Sequence, residues 1–169
     1  MGLYSRVNDV LFRERGETST LGGSRASKDA ASIHLLGDVD ELNSHLGLVK
    51  ALLYSDCQKQ FIEGIQKNLM KLMSHVSDIE NEEYFIAEDD VDILKSEIDS
   101  LAAKLPKQSQ FVLPGTNTLE AQTHIARAAA RRAERQFVAT GRQLTLCPNS
   151  GVFLNVLSNY LFILSRTFV

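Results

Sequence analysis

The sequence predicts an all-α protein built as a helical bundle, and three observations predict it. Apolar residues recur at steps of three and four along five stretches, the period of helices with one buried stripe. Three prolines, ten glycines and no tryptophan in 169 residues suit long helices and short connections better than a turn-rich β-sandwich. At 44% hydrophobic and 23% charged residues the chain can bury a core, and one domain over 1–169 is expected.

Residues 1–28 are polar, rich in Gly, Ser, Thr and Arg, and without sustained period, so they read as one long loop. Loops of that length in compact domains are usually functional or disordered. From Asp29 the helical period takes over. Ile33, Leu36, Asp40, Asn43 and Gly47 share one face and Val39, Leu42, Leu46 and Val49 another, which predicts a helix over 29–54. Ile62, Ile65, Leu69, Leu72, Val76 and Ile79 predict a second over 57–79. The third follows Glu88-Asp89-Asp90 with Val91, Leu94, Ile98, Leu101 and Leu105, and Pro106 ends it. Carboxylates in a first helical turn answer the free N–H groups and the macrodipole, so this acidic cluster needs no metal. After the apolar turn Phe111–Thr116, an Ala-rich helix is expected over 117–140. A fifth follows over 149–167, with Phe153, Leu157, Tyr160, Leu161 and Leu164 on its apolar face.

Eighteen Lys and Arg against twenty-one Asp and Glu leave a net charge of −3, so no global positive field holds nucleic acid, and any anion site has to be local. Cys57 and Cys147 are too few for a disulfide framework and lie in no metal or redox spacing. Both are expected as packing residues in a reducing, cytoplasmic setting. The opening Met1-Gly2-Leu3-Tyr4-Ser5-Arg6 lacks an apolar signal core, and no membrane association is expected. Glu41 and His45, like Glu120 and His124, stand four apart rather than in the paired Glu-x-x-His of di-metal bundles. His34, His45, His75 and His124 are therefore read as structural or solvated.

The fourth helix concentrates the chemistry. Arg127, Arg131, Glu134 and Arg135 fall at offsets of zero, four, seven and eight, placing three guanidinium groups on one stripe. Spacing alone leaves two readings open. One is a solvated face with Glu134 as partial partner; the other is a polyphosphate cradle, since arginine forks match phosphate oxygens. Ala128, Ala129 and Ala130 would let a neighbouring element approach closely. The N-terminal tract adds backbone N–H groups and hydroxyls suited to phosphate, with Arg25 and Lys28 for charge, but lacks the ending of a Walker A loop. On the first helix, Asp40 either orients one of the arginines or is solvated.

Thr18–Asp29 contains Gly22-Gly23-Ser24-Arg25-Ala26-Ser27-Lys28-Asp29, Gly37–Ser44 reads Gly-Asp-Val-Asp-Glu-Leu-Asn-Ser, and Phe111–Gly115 reads Phe-Val-Leu-Pro-Gly. Arg127–Arg135 reads Arg-Ala-Ala-Ala-Arg-Arg-Ala-Glu-Arg, followed by Phe153-Leu154-Asn155 and Tyr160-Leu161-Phe162. In this order and spacing the blocks resemble the PduO-type ATP:cob(I)alamin adenosyltransferases over nearly the whole chain. The resemblance implies a five-helix bundle with ferritin-like up-down packing over 29–169 and a nucleotide-binding loop over 1–28. It also implies a homotrimer with ATP and corrinoid bound between subunits. The implied reaction moves the 5′-deoxyadenosyl group of ATP to the cobalt of cob(I)alamin, giving adenosylcobalamin and triphosphate. Mg²⁺ would ride on the ATP phosphates, with no protein metal ligand assigned.

Residue by residue, the resemblance places Arg131, Glu134, Arg135, Asn155, Lys28, Thr18, Ser19 and Gly16 at ATP, with Ser5, Arg6, Val7 and Asn8 from the opening. Arg127 and Asp40 match an ion pair that shapes the active site, and Arg131 with Arg127, Asp40 and Phe111 forms the expected catalytic set. Phe111 would lie under the corrin and displace the axial base, leaving a four-coordinate cobalt that is easier to reduce; Phe162 joins that wall. A cobalamin reductase and an adenosylcobalamin-dependent enzyme are the implied partners. There are departures. Asn8 replaces a Gly of the family opening when Tyr4–Asp9 is aligned with it, which suits the left-handed tolerance of Asn; the gapless alternative puts Arg13 and Glu14 there. Val156 stands where the family has Arg, and Asn159 where it has Asp. They leave a second expectation, a non-catalytic relative that binds ATP or cobalamin as carrier or sensor.

Overall fold

The computed structural model describes residues 16–20, 23, 25–107 and 111–169. Two short strands, β1 (Glu17–Ser19) and β2 (Arg25–Ser27), precede helices α1 (Ala31–Leu52), α2 (Asp56–Ser77), α3 (Glu88–Ala102), α4 (Thr118–Thr140) and α5 (Pro148–Arg166), with a 3₁₀ turn at Glu82–Tyr84. All five helices stand where the periodicity places them, their ends moved by less than a turn. The expected N-terminal loop is corrected in part: β1 and β2 pair antiparallel, Thr18 opposite Ala26. Its three-residue strands carry no apolar alternation, so nothing in the pattern announces them.

Helix starts follow local chemistry. Ser55 caps α2 by accepting the Gln58 N–H at 3.4 Å, and Asn117 caps α4 by accepting the Glu120 N–H at 2.9 Å. The acidic opening of α3 behaves as expected, Asp90 accepting the Ala87 N–H at 3.2 Å. Pro148 opens α5 in the first turn, where its missing N–H costs nothing. Leu105 falls outside α3, because the residue before Pro106 is pushed from helical geometry.

α1 packs between α2 and α4, α4 against α5, and α5 against α3. Gln136 Nε2 and Thr140 Oγ1, late in α4, donate to the Ala31 carbonyl at the start of α1, and Gln122, early in α4, reaches His45 late in α1. The two helices therefore run antiparallel, as up-down packing requires. Leu35, Val39, Leu42, Leu46 and Val49 of α1 meet Ala126, Ala129, Ala130 and Ala133 of α4, whose small side chains bring the axes close. Ala128 is the exception to the expected small patch and faces solvent. Phe61 and Tyr160 close the core between α2 and α5, ring centroids 5.3 Å apart, and burial pushes the Tyr160 phenol up. His75 Nε2 accepts the Cys147 N–H at 2.9 Å, tying the end of α2 to the start of α5. Cys147 is buried as expected. Cys57 is exposed, because the first turn of α2 turns it away from the Ile62–Ile65 stripe. Among the described residues no helix is long and apolar enough to cross a membrane.

Candidate functional site

Burial of Ala126, Ala129, Ala130, Ala133 and Phe137 fixes the rotation of α4 and leaves Arg131 and Arg135 exposed on its other side. Together with Glu134, Val138 and Asn155 of α5 they line a concavity of about 340 Å³. Asn155 Nδ2 donates to Glu134 Oε1 at 2.8 Å, so the carboxylate is held by the amide and not by either arginine. No carboxylate among the described residues, Glu134 included, lies within ion-pair distance of Arg131 or Arg135. Two unneutralised guanidinium groups beside a fixed carboxylate form a local anion site on a chain of net negative charge.

Arg132 points elsewhere. Its Nε donates to Asp38 Oδ1 at 2.9 Å and its terminal nitrogen to Glu41 Oε2, fastening α4 to α1. The hydrogen bond from Arg132 holds the Glu41 carboxyl below its usual range. The expected pair between Asp40 and Arg127 is not made within the chain. Asp40 lies roughly 200° around α1 from Asp38 and is exposed, while Arg127 Nε donates to His124 Nδ1 at 3.3 Å.

His124 belongs to a buried polar cluster under the Phe111–Thr116 turn. Its Nε2 faces Glu120 Oε1 at 3.0 Å, and Glu120 Oε2 accepts the Gly115 and Thr116 N–H groups at 2.7 and 3.1 Å. Burial lowers the His124 pKa, against the raising effect of Glu120, with Arg127 lowering it further. Phe162 sits edge-on to the His124 ring at 6.3 Å. Phe111 is fully exposed and Leu113 is 86% exposed, so the turn presents an apolar tip rather than a core aromatic. Sequence reasoning weighed Glu120 and His124 only as a metal pair. The available signal was Asn117-x-x-Glu120, a capping-box pattern whose carboxylate turns out to serve the preceding turn.

In the hairpin, Gly16 takes the left-handed region at φ +68°, and its carbonyl accepts the Lys28 N–H at 2.7 Å. Ser19 and Lys28 are exposed and Thr18 is half-buried. Arg25 pairs with Glu17 at 3.5 Å. Among the described residues no hydrogen bond or ion pair joins Thr18, Ser19 or Lys28 to the Arg131 concavity. Ser5, Arg6, Val7 and Asn8 lie outside the described residues. Val156 packs against the core and Asn159 is exposed. The arrangement thus gathers Arg131, Glu134, Arg135 and Asn155 in one place and leaves Phe111, Asp40 and the hairpin as separate exposed groups.

Comparison with known proteins is consistent over the length of the chain. The sequence profile of the cobalamin adenosyltransferase family matches residues 13–168. A corrinoid adenosyltransferase of Citrobacter freundii is 35% identical over 97% of this chain and 93% of its own length. One of Bacillus subtilis is 33% identical over 98% and 86%. Among solved structures, a phenylalanine-to-alanine variant of a PduO-type ATP:corrinoid adenosyltransferase from Lactobacillus reuteri, complexed with cobalamin and ATP, superposes with a TM-score of 0.84. It is 29% identical and covers 92% of this chain and 91% of its own.

Proposed function

The chain belongs to the cobalamin adenosyltransferase family, and from that premise we propose that its ATP triphosphate is gripped at the Arg131–Arg135 concavity. The reaction transfers the 5′-deoxyadenosyl group of ATP to cobalamin. Cobalt(I) attacks C5′, the C5′–O bond breaks, and its electron pair leaves with triphosphate. Cob(I)alamin is itself a strong nucleophile, so the protein makes no base. It positions the reactants and stabilises the charge building on the leaving group.

Arg131 and Arg135 meet that charge, and Asn155 holds Glu134 beside them. Gly16, Thr18, Ser19 and Lys28, with Ser5, Arg6, Val7 and Asn8, reach the nucleotide from the N-terminal segment 1–28. Hard oxygen donors at Glu134 and Asn155 suit a Mg²⁺ carried on the phosphates, which would neutralise charge there. Phe111 and Phe162 form the apolar wall under the corrin, where an aromatic in place of the axial base leaves cobalt four-coordinate. Asp40 and Arg127, not paired with one another within the chain, pair between copies of a homotrimer, so that the sites lie between subunits of a single-domain chain. Such an enzyme works in the cytoplasm, beside a reductase that supplies Co(I) and an enzyme that uses the product.

The observation that carries the reading is the pair of guanidinium groups with no ion-paired carboxylate among the described residues, facing one concavity with Glu134 and Asn155. Anaerobic incubation with ATP, Mg²⁺ and chemically reduced cob(I)alamin, followed by phosphorus NMR, should show intact triphosphate released in step with adenosylcobalamin. Release of orthophosphate and diphosphate, or of nothing, would contradict it.

A further inference from the structure

Glu120 is fully buried at the start of α4, yet its helix does not need it, since Asn117 already caps that end. The carboxylate turns back instead, and one oxygen takes both the Gly115 and Thr116 N–H groups. Its other oxygen lies 3.0 Å from Nε2 of His124, which is 5% exposed, and Arg127 Nε donates to the opposite ring nitrogen. A guanidinium only donates, so that bond assigns the proton to Nε2 and gives a neutral imidazole facing a carboxylate. The contact is close but not aligned: neither Glu120 Oε1 nor His124 Nε2 completes a hydrogen bond.

A buried carboxylate is expensive unless paired, and an apolar side chain would fill the site at less cost. What the polar pair adds is a connection. The turn it clamps has no core anchor at its tip, where Phe111 and Leu113 are exposed and Gly115 holds φ +119°. On the far side of the same pair stand Phe162 and Arg127. We propose that Glu120 and His124 are positioning residues, holding the 111–116 turn in one placement relative to Phe162 and Arg127 so that a corrin seated on Phe111 meets the nucleotide side in register. Neither touches substrate. The assignment rests on the functional reading above.

Glu120→Gln keeps the size of the side chain and an oxygen for the turn, but sets an amide N–H against the His124 N–H. His124→Phe fills the same space without either polar contact, so packing is kept while the link is lost. Each is to be compared with wild type for steady-state kinetics, melting temperature and the EPR spectrum of bound cob(II)alamin with ATP, whose nitrogen splitting reports the axial base. The expected result is a loss of about tenfold or more in kcat/KM for cob(I)alamin, with KM for ATP within about twofold. Nitrogen splitting should be retained in a larger share of the bound corrinoid. Wild-type kinetics and spectra in both variants would overturn the proposal. So would losses that fall equally on both substrates and follow the melting temperature, or failure of both variants to fold, since the pair is then structural. Wild-type protein that makes no adenosylcobalamin would instead overturn the functional reading itself, and this inference with it.

Discussion

Arg131 carries the heaviest demand on a single side chain, because it is exposed to the concavity and has no ion-paired carboxylate among the described residues. Removing one donor to developing charge typically costs roughly 2.7–4 kcal/mol of transition-state stabilisation, so Arg131→Ala is expected to lose about 10²–10³ in kcat with the fold intact. Circular dichroism beside the kinetics checks both halves. Asn155 lines the same concavity and holds Glu134 through its hydrogen bond. Losing a hydrogen bond to a charged group costs about 1.5–3 kcal/mol when buried and less here, so Asn155→Ala should raise KM for ATP by roughly fivefold. Spacing revealed the arginine stripe but not its partners. Arg127 was expected to find Asp40 and finds His124, while Asp38 and Glu41 take Arg132. Which carboxylate on a helix meets which arginine on its neighbour depends on the rotation of both helices, and the apolar period fixes that rotation only to within a side chain.

The helices themselves were far more legible, since each is set by an apolar stripe that the bundle buries. Val39, Leu42, Leu46 and Val49 were read as one face of α1 and are all fully buried. The hairpin was not legible, because its stability comes from backbone pairing at Thr18 and Ala26 rather than from an apolar face. Packing between α4 and α5 makes a sharp prediction. A Cβ on Gly151 would come within 2.8 Å of the Phe137 ring. Overpacking costs typically about 1–3 kcal/mol against about 1 kcal/mol gained in helix propensity, so Gly151→Ala should lower stability in urea unfolding. A second prediction concerns pH. Burial holds both His75 and His124 below the ordinary 6.5, so the folded chain keeps them neutral while the unfolded chain takes up protons through 6.5. Stability is therefore fully present above 6.5 and falls as pH drops through that value towards the lowered folded pKa. The carboxyls of Glu41 and Glu63, also lowered, add stability that is present above 4.5 and is lost only as pH falls below that value. Melting temperatures between pH 8 and 5 should show the decline, and a His75→Gln variant should show a shallower one.

At the scale of the whole molecule, one chain leaves its functional groups apart: among the described residues, the arginine concavity, the Phe111 tip, Asp40 and the hairpin share no contact that would make a single pocket. The proposed trimer, with sites between subunits, would bring them together, and sedimentation should then give about three times the 18.8 kDa chain mass. Mixing inactive Arg127→Ala and Asp40→Ala chains should restore activity, because some interfaces then carry both intact partners. No recovery would contradict pairing between subunits. Anaerobic absorbance on wild-type and Arg131→Ala protein with ATP, Mg²⁺ and cob(I)alamin tests the reading that this chain moves the adenosyl group and that Arg131 meets the leaving triphosphate. The Co(I) spectrum should decay into that of light-sensitive adenosylcobalamin, slower by about a hundredfold or more in the variant. Both substrates bound without product, as in a carrier or sensor, or Arg131→Ala turning over at the wild-type rate, would contradict it.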